Sequence, residues 1–213
     1  DTFDYLRKEW EQQDTCSLVP SYHSPDKKDY TSYRYPCPVD DSTVVAVKSG
    51  LKDINSLVTI VHGKEKRLSY IGSINSRLDY RNGKIYWTEI VPGLRWTHEN
   101  YSVLKCYDLK EGRIKSITPR QRYLSPSVDK NGKVAAVSRT TVDGKNQLVL
   151  VELEDGKELF AFQVPGNAFI KELTFTDQDE VVAVAVTDAG ISLLQFTPSS
   201  CLLYTSPSPR DRT

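Results

Sequence analysis

Hydrophobic and polar positions alternate along this chain in short runs, not at the spacing of long helices. From about Val39 to Phe196, strand-like segments of about five to seven residues are separated by turn residues. Thr43–Lys48 (TVVAVK) and Leu57–Val61 (LVTIV) come first, and a turn at His62–Gly63–Lys64 leads into Arg67–Ile71. Lys84–Ile90, Tyr101–Leu109 and Arg113–Ile117 follow, then Lys133–Val137, Gln147–Leu153 and Glu158–Phe162. Lys171–Phe175, Glu180–Val186 and Ile191–Phe196 complete the series. Val, Ile and aromatic residues fill the runs, and Asn-Gly and Asp-Gly pairs punctuate them, so the pattern predicts antiparallel strands joined by tight turns. Before this region, Phe3, Leu6 and Trp10 are spaced three and four apart and predict a short amphipathic helix over residues 3–13. Residues 14–38, with Pro20, Pro25, Pro36 and Pro38, read as an irregular connector.

The runs recur in a fixed order. A polar turn precedes an apolar strand at Val44, Ile85, Val134 and Val181, with separations of 41, 49 and 47 residues. A period of 40–50 residues holding three or four short strands is the mark of propeller blades. The first apolar strand of each unit (VVAV, VAAV, VVAVAV) lacks alternation, which suits burial on both faces between stacked sheets. A β-sandwich has strands of similar length but not this repeated internal order. The expected fold is all-β: a partial β-propeller of about three to four blades of four-stranded antiparallel sheets, preceded by the short helix and connector.

The turn-and-strand units resemble the TolB-like and WD40-like propellers of bacterial envelope proteins. Their blade motif runs Pro-x-aromatic-Ser-Pro-Asp-Gly-Lys into a short apolar strand. Ser125–Pro126–Ser127–Val128–Asp129–Lys130–Asn131–Gly132–Lys133 before VAAV is the best copy, and Leu78–Lys84 before IYW is a second. Leu173–Asp179 before EVVAVAV lacks the glycine, and Val39–Ser42 before TVVAV is the weakest copy. The resemblance covers residues 34–196. The stretch from Arg95–Trp96 to Leu124–Ser125–Pro126 is similar to one subgroup, large secreted or outer-membrane proteins of Gram-negative bacteria. Some members of that subgroup carry a metallopeptidase-like domain before the propeller. The resemblance implies a periplasmic or outer-membrane location and a noncatalytic scaffold or protein-interaction module. The alternative it leaves open is the accessory propeller of a peptidase or hydrolase with its catalytic domain elsewhere.

Composition refines this picture at the chain ends. The 213 residues contain no Met, and the chain begins with Asp1. Residues Cys201–Asp211 (CLLYTSPSPRD) break the apolar pattern and back-translate to a sequence resembling the transposase adapter of short-read library preparation. Three segments are therefore expected: residues 1–38 as helix and connector, 39–198 as an incomplete propeller, and 199–213 as a disordered, adapter-derived tail. The whole is expected to be an internal slice of a longer protein. The charge balance is 28 Lys plus Arg against 28 Asp plus Glu, and dropping Arg210, Asp211 and Arg212 leaves a net charge of −1. No global field favours nucleic acid, and no apolar run reaches the roughly 18 residues of a membrane helix.

The chain offers little chemistry. His23, His62 and His98 fall in no metal-ligand spacing, and no nucleophile-elbow, P-loop or dinucleotide motif occurs. No catalytic residue, cofactor or metal is expected. Without the tail, three cysteines remain; Cys16 and Cys37 either pair in an oxidising compartment or stay as free thiols, as Cys106 does. Tyr86, Trp87, Trp96 and Tyr101 cluster with Arg95 and Glu89 within one unit. Trp87 reads as core. Arg95, Trp96 and Tyr101, in and beside the Val91–Asn100 loop, are the candidate binding residues, because Trp, Tyr and Arg are enriched at binding hot spots. The partner expected there is a protein or peptide, or a glycan, together with the remaining domains of the same chain.

Overall fold

The computed structural model describes residues 29–74, 76–93, 100–188, 190–197 and 200–204. They form four antiparallel sheets in chain order, each strand but one of the second sheet pairing with a sequence neighbour. Blade 1 consists of β1 (Thr31–Pro38), β2 (Thr43–Gly50), β3 (Ser56–Val61) and β4 (Lys64–Tyr70). In blade 2 the first strand is split into β5 (Ser73–Ile74) and β6 (Asp79–Arg81), both pairing with β7 (Lys84–Pro92); β8 (Asn100–Asp108) and β9 (Arg113–Ser116) follow. Blade 3 holds β10 (Tyr123–Val128), β11 (Val134–Thr140), β12 (Asn146–Glu152) and β13 (Glu158–Gln163). Blade 4 holds β14 (Phe169–Phe175), β15 (Val181–Thr187), β16 (Gly190–Thr197) and β17 (Ser200–Tyr204). The first strands meet in sequence, β1 against β6, β6 against β10 and β10 against β14. This is a partial β-propeller with its first strands innermost.

The second strands hold the sheets together. Val45 and Val47 of β2 pack with Ile85 and Trp87 of β7 between blades 1 and 2. Tyr86, Leu104 and Cys106 meet Val128, Ala135 and Leu153 between blades 2 and 3. Ala136 and Leu148 meet Val181, Ala183, Ala185, Leu194 and Phe196 between blades 3 and 4. Successive residues of one strand face opposite sides of its sheet, so the unbroken apolar runs Ile85–Trp87 of β7 and Ala135–Val137 of β11 fill both interfaces. Sheets that radiate from an axis diverge outwards. Small residues (Ala135, Ala136, Ala183, Ala185) therefore sit near the axis, and Leu148, Phe162, Leu194 and Phe196 lie on the strands further out.

The repeat extends to polar side chains. In blade 1, Tyr33 donates to Glu65 at 2.5 Å, and Lys48 pairs with the same carboxylate at 2.5 Å. In blade 3, Tyr123 and Arg139 meet Glu158 from the corresponding strands. One detail of the sequence repeat shifts. Ile85 faces the preceding blade, and so does Ala135, whereas Val134 belongs to neither core cluster. The cause is turn length. The β6–β7 hairpin closes through Asn82 and Gly83, both at positive φ (49° and 77°), as a two-residue type I′ turn requires. The β10–β11 turn is longer and is wrapped around Asp129, whose carboxylate accepts from the amides of Lys133 and Val134 at 2.7 and 2.8 Å.

Two expected boundaries change. Thr31–Pro38, read as connector, is a strand paired with β2, so the first sheet starts before residue 39. Its polar, proline-bearing sequence hid it. The boundary at 199 also falls inside a hairpin, since the backbone of Ser200–Tyr204 pairs with β16. An unpaired strand edge is a ready template for an extended segment. The helix expected over residues 3–13 lies outside the described residues.

Beyond blade 4 no further described sheet covers β15 and β16, and Val186, Ile191 and Leu193 are exposed. Neighbouring leucines on β16 give the test of this geometry: Leu194 is fully buried and Leu193 is 48% exposed. Leu194→Ala is expected to cost about 2–5 kcal/mol, and Leu193→Ala to stay within about 0.5 kcal/mol, in urea unfolding. The open apolar face also predicts self-association at micromolar concentration. Ile191→Lys with Leu193→Lys should abolish it in analytical ultracentrifugation; a monomeric parent chain would contradict this.

Candidate binding cavity at the inner strands

Every inner strand breaks its ladder at the same level. β1 slips between Arg34 and Cys37, β10 between Leu124 and Ser127, and β14 between Ile170 and Glu172. In blade 2 the break is the gap between β5 and β6. The sequence dictates two of these breaks. Pro36 and Pro126 lack an N–H for the ladder, and the residues before them, Tyr35 and Ser125, adopt φ of 55° and 50°. In the blade 2 gap, the Ser76 hydroxyl meets the Thr88 hydroxyl at 2.9 Å, replacing backbone pairing with side-chain pairing. Such bulges bend a strand and re-aim its side chains.

The bulged segments line one cavity of about 1020 Å³. Its wall is Tyr35–Pro38, Ser76–Arg81, Ser125–Ser127 and Lys171–Thr174, with Val182 and Val184 of β15. Polar groups of each inner strand are tied to the next. Asp79 Oδ2 accepts from the Val128 amide at 2.6 Å, and Arg81 Nε donates to the Val128 carbonyl at 3.2 Å. The Ser127 hydroxyl donates to Asp79 and accepts from the Phe175 amide at 3.1 Å. Ser125 Oγ donates to the Lys171 carbonyl at 2.9 Å. A chain of hydrogen bonds thus runs from blade 2 through blade 3 to blade 4 along the cavity wall.

Burial raises the Asp79 carboxyl above its usual range, opposed by the amide of Val128 and by Arg81. Cys37, at the cavity edge, is pushed up to about 11 by burial and then by the Asp79 charge. It is a protonated thiol at neutral pH and a poor nucleophile. Among the described residues no three His, Cys, Asp or Glu side chains come together as a metal site. The cavity can bind through shape, hydrogen bonds and charge, and it shows no paired nucleophile and base.

Of the candidates read from the sequence, only Tyr101 falls within the described residues. Arg95 and Trp96 fall outside the described residues. Tyr101 lies on β8 opposite Val91, half-buried, and it does not line the cavity. Trp87 is fully buried in the core between blades 1 and 2, with its indole N–H towards Glu89 at 3.4 Å. Glu89 also takes the Gly72 amide and pairs with Lys105 at 2.5 Å, so it is committed to structure. His62 occupies a two-residue turn at φ 47°. Cys37 and Cys106 are buried free thiols, and Cys16 lies outside the described residues. Sequence reasoning missed the cavity residues because it missed three of the four inner strands, reading only Lys171–Phe175 as a strand. The available signal was proline inside a short polar run (Tyr35–Pro36, Ser125–Pro126), which marks a bulge or edge strand.

No family model matches this sequence, and no curated protein does. Solved structures do. TolB from Acinetobacter baumannii superposes with a TM-score of 0.63 at 12% identity, over 83% of this chain and 43% of that one. The β-propeller domain of the Trilobed protease from Pyrococcus furiosus gives 0.56 at 12%, over 84% and 58%. Acylaminoacyl peptidase from Pyrococcus horikoshii gives 0.57 at 12%, over 83% and 33%. The chain therefore spans less than two thirds of the length of each. At such identity the likeness concerns the fold alone: the described residues form four sheets of a β-propeller of the kind seen in TolB.

The Asp79 junction makes a prediction with a sign. A raised carboxyl means that the folded state holds this proton more firmly than the unfolded chain does. The stability it contributes is present at low pH and is lost as pH rises through the folded value. Asp79→Asn cannot ionise, so its stability relative to the parent chain should rise with pH across the acid range and then level off. Asp79→Ala leaves the Val128 amide unpaired and should cost about 1–3 kcal/mol relative to Asp79→Asn, with the same pH-dependent change against the parent chain. Urea unfolding at a series of pH values measures both.

Proposed function

We propose that this propeller is a noncatalytic interaction module of a larger bacterial envelope protein, periplasmic or associated with the outer membrane. It recognises a protein or peptide segment at the cavity of its inner strands. The observation that carries this reading is the cavity itself: three bulged strands and one split strand converge on it, and its wall mixes apolar surface with Arg77, Arg81, Asp79, Lys171 and Glu172. Concave sites with an apolar lining and a few convergent polar groups are typical of binding sites. The likeness to TolB supports the envelope assignment. Arg95, Trp96 and Tyr101 serve in this proposal as gripping residues on and beside the β7–β8 loop. The mechanism is recognition by a preformed surface, without bond chemistry.

A second reading, the accessory propeller of a peptidase or hydrolase, draws on the protease propeller and the acylaminoacyl peptidase among the structural neighbours. The complete gene separates the two. A G-x-S-x-G motif downstream or an H-E-x-x-H motif upstream favours the enzyme, and neither motif favours the scaffold.

The binding proposal has its own test. A photo-crosslinker at Thr174, on the cavity wall, should capture a polypeptide from a Gram-negative envelope extract, and an equivalent probe on β9 should not. Trp96→Ala should weaken the purified interaction about 30-fold if it is a hot spot. Capture at β9 alone would reject the cavity as the site.

A further inference from the structure

Among the described residues, ion pairs join groups within one blade or in adjacent blades, with one exception. Arg77 Nη2 stands 3.1 Å from Glu172 Oε2, linking blade 2 to blade 4 past the inner strand of blade 3. Both side chains line the cavity. The gap between β5 and β6 puts Arg77 outside the ladder, and the bulge in β14 precedes Glu172. The arginine side chain is 73% exposed and the glutamate 39% exposed. An ion pair this wet is weak and readily exchanged.

The other charges of the wall differ in how they are held. Asp79 and Arg81 are bound to the two sides of the Val128 peptide. Lys171, next to Glu172 and exposed, has no ion-pair partner among the described residues. The cavity rim thus holds one uncommitted cation and a second cation neutralised only by an exchangeable glutamate. Between them lie apolar surfaces from Tyr35, Pro36, Pro126, Leu173, Val182 and Val184. A cavity of about 1020 Å³ is far larger than a single small anion needs. The complementary ligand carries carboxylates on an extended, partly apolar chain.

We infer that the cavity takes an acidic peptide segment, that a ligand carboxylate replaces Glu172 on Arg77 beside Lys171, and that Glu172 is the built-in competitor that sets the affinity. This inference rests on the proposed binding function and adds its charge class and its specificity residues. Before binding, the Arg77–Glu172 pair spans the mouth between blades 2 and 4. On binding, the ion pair is exchanged for one with the ligand, so the gain from Arg77 alone is small and Lys171 supplies the net attraction.

The test uses the full chain and three fluorescein-labelled decapeptides of common apolar residues, with alternate positions filled by Asp, Asn or Lys, followed by anisotropy at low salt. The Asp peptide should bind about two- to fivefold more tightly than the Asn peptide, the range of an exposed ion pair, and the Lys peptide most weakly. Glu172→Gln should tighten the Asp peptide by a similar factor and leave the Asn peptide unchanged. Arg77→Gln should reduce the Asp preference, and Arg77→Gln with Lys171→Gln should remove it. All three side chains are at least partly exposed, so circular dichroism should report an unaltered fold. Equal affinity for Asp and Asn peptides, or a preference untouched by Arg77→Gln, overturns the charge inference and leaves the binding function standing. Failure of all three peptides to bind rejects the binding function and the charge inference together.

Discussion

Burial of one strand on both of its faces is the constraint on which this structure depends. β7 and β11 each supply side chains to two interfaces, and their residues from Ile85 to Thr88 and from Ala135 to Val137 are almost wholly removed from water. A sheet that hides both faces of a central strand needs a neighbour on each side. The sheets must therefore stack, and the twist of each makes the stack turn about an axis. Alanines near that axis and Leu or Phe further out fit the resulting taper. The exposed Val186, Ile191 and Leu193 on blade 4 belong to the same pattern, as apolar positions with no described sheet beyond them.

The cavity follows from a second constraint, on the innermost strand. That strand has a sheet partner on only one edge, so its other N–H and C=O groups must find partners across the gap to the next blade. Asp79, Arg81, Ser125 and Ser127 provide them, and each acts on the backbone of the following inner strand. The ladder breaks at Pro36, Ser76–Leu78, Pro126 and Lys171 give the wall its relief. One set of residues therefore joins the blades and shapes the surface offered to a ligand. Arg77 and Glu172 stand apart, since they link blade 2 to blade 4 past blade 3, through water-exposed charge.

The sequence displayed the second and third strands of each unit and the fourth strands of the first three clearly, because they combine β-branched apolar runs with Asn-Gly and Asp-Gly turns. The period and the propeller fold were legible from them. Of the first strands only that of blade 4 was, as Lys171–Phe175. β1 carries Pro36 and Pro38, β10 carries Pro126, and the blade 2 strand is cut in two, so neither alternation nor β-propensity survives in them. The candidate site was hidden with those strands, because the cavity is built from their bulges. Trp87 was readable as core, since it sits inside a run with no polar alternation. The Arg77–Glu172 pair, 95 residues apart in the chain, had no local signature at all.

Hydrogen–deuterium exchange of the chain with and without a crosslinked or captured peptide partner is the decisive measurement of whether the inner strands form the proposed recognition surface. New protection is expected at Tyr35–Pro38, Ser76–Arg81, Ser125–Ser127 and Lys171–Thr174. Protection confined to the outer strands β4, β9 and β13, with the inner strands unchanged, would contradict it.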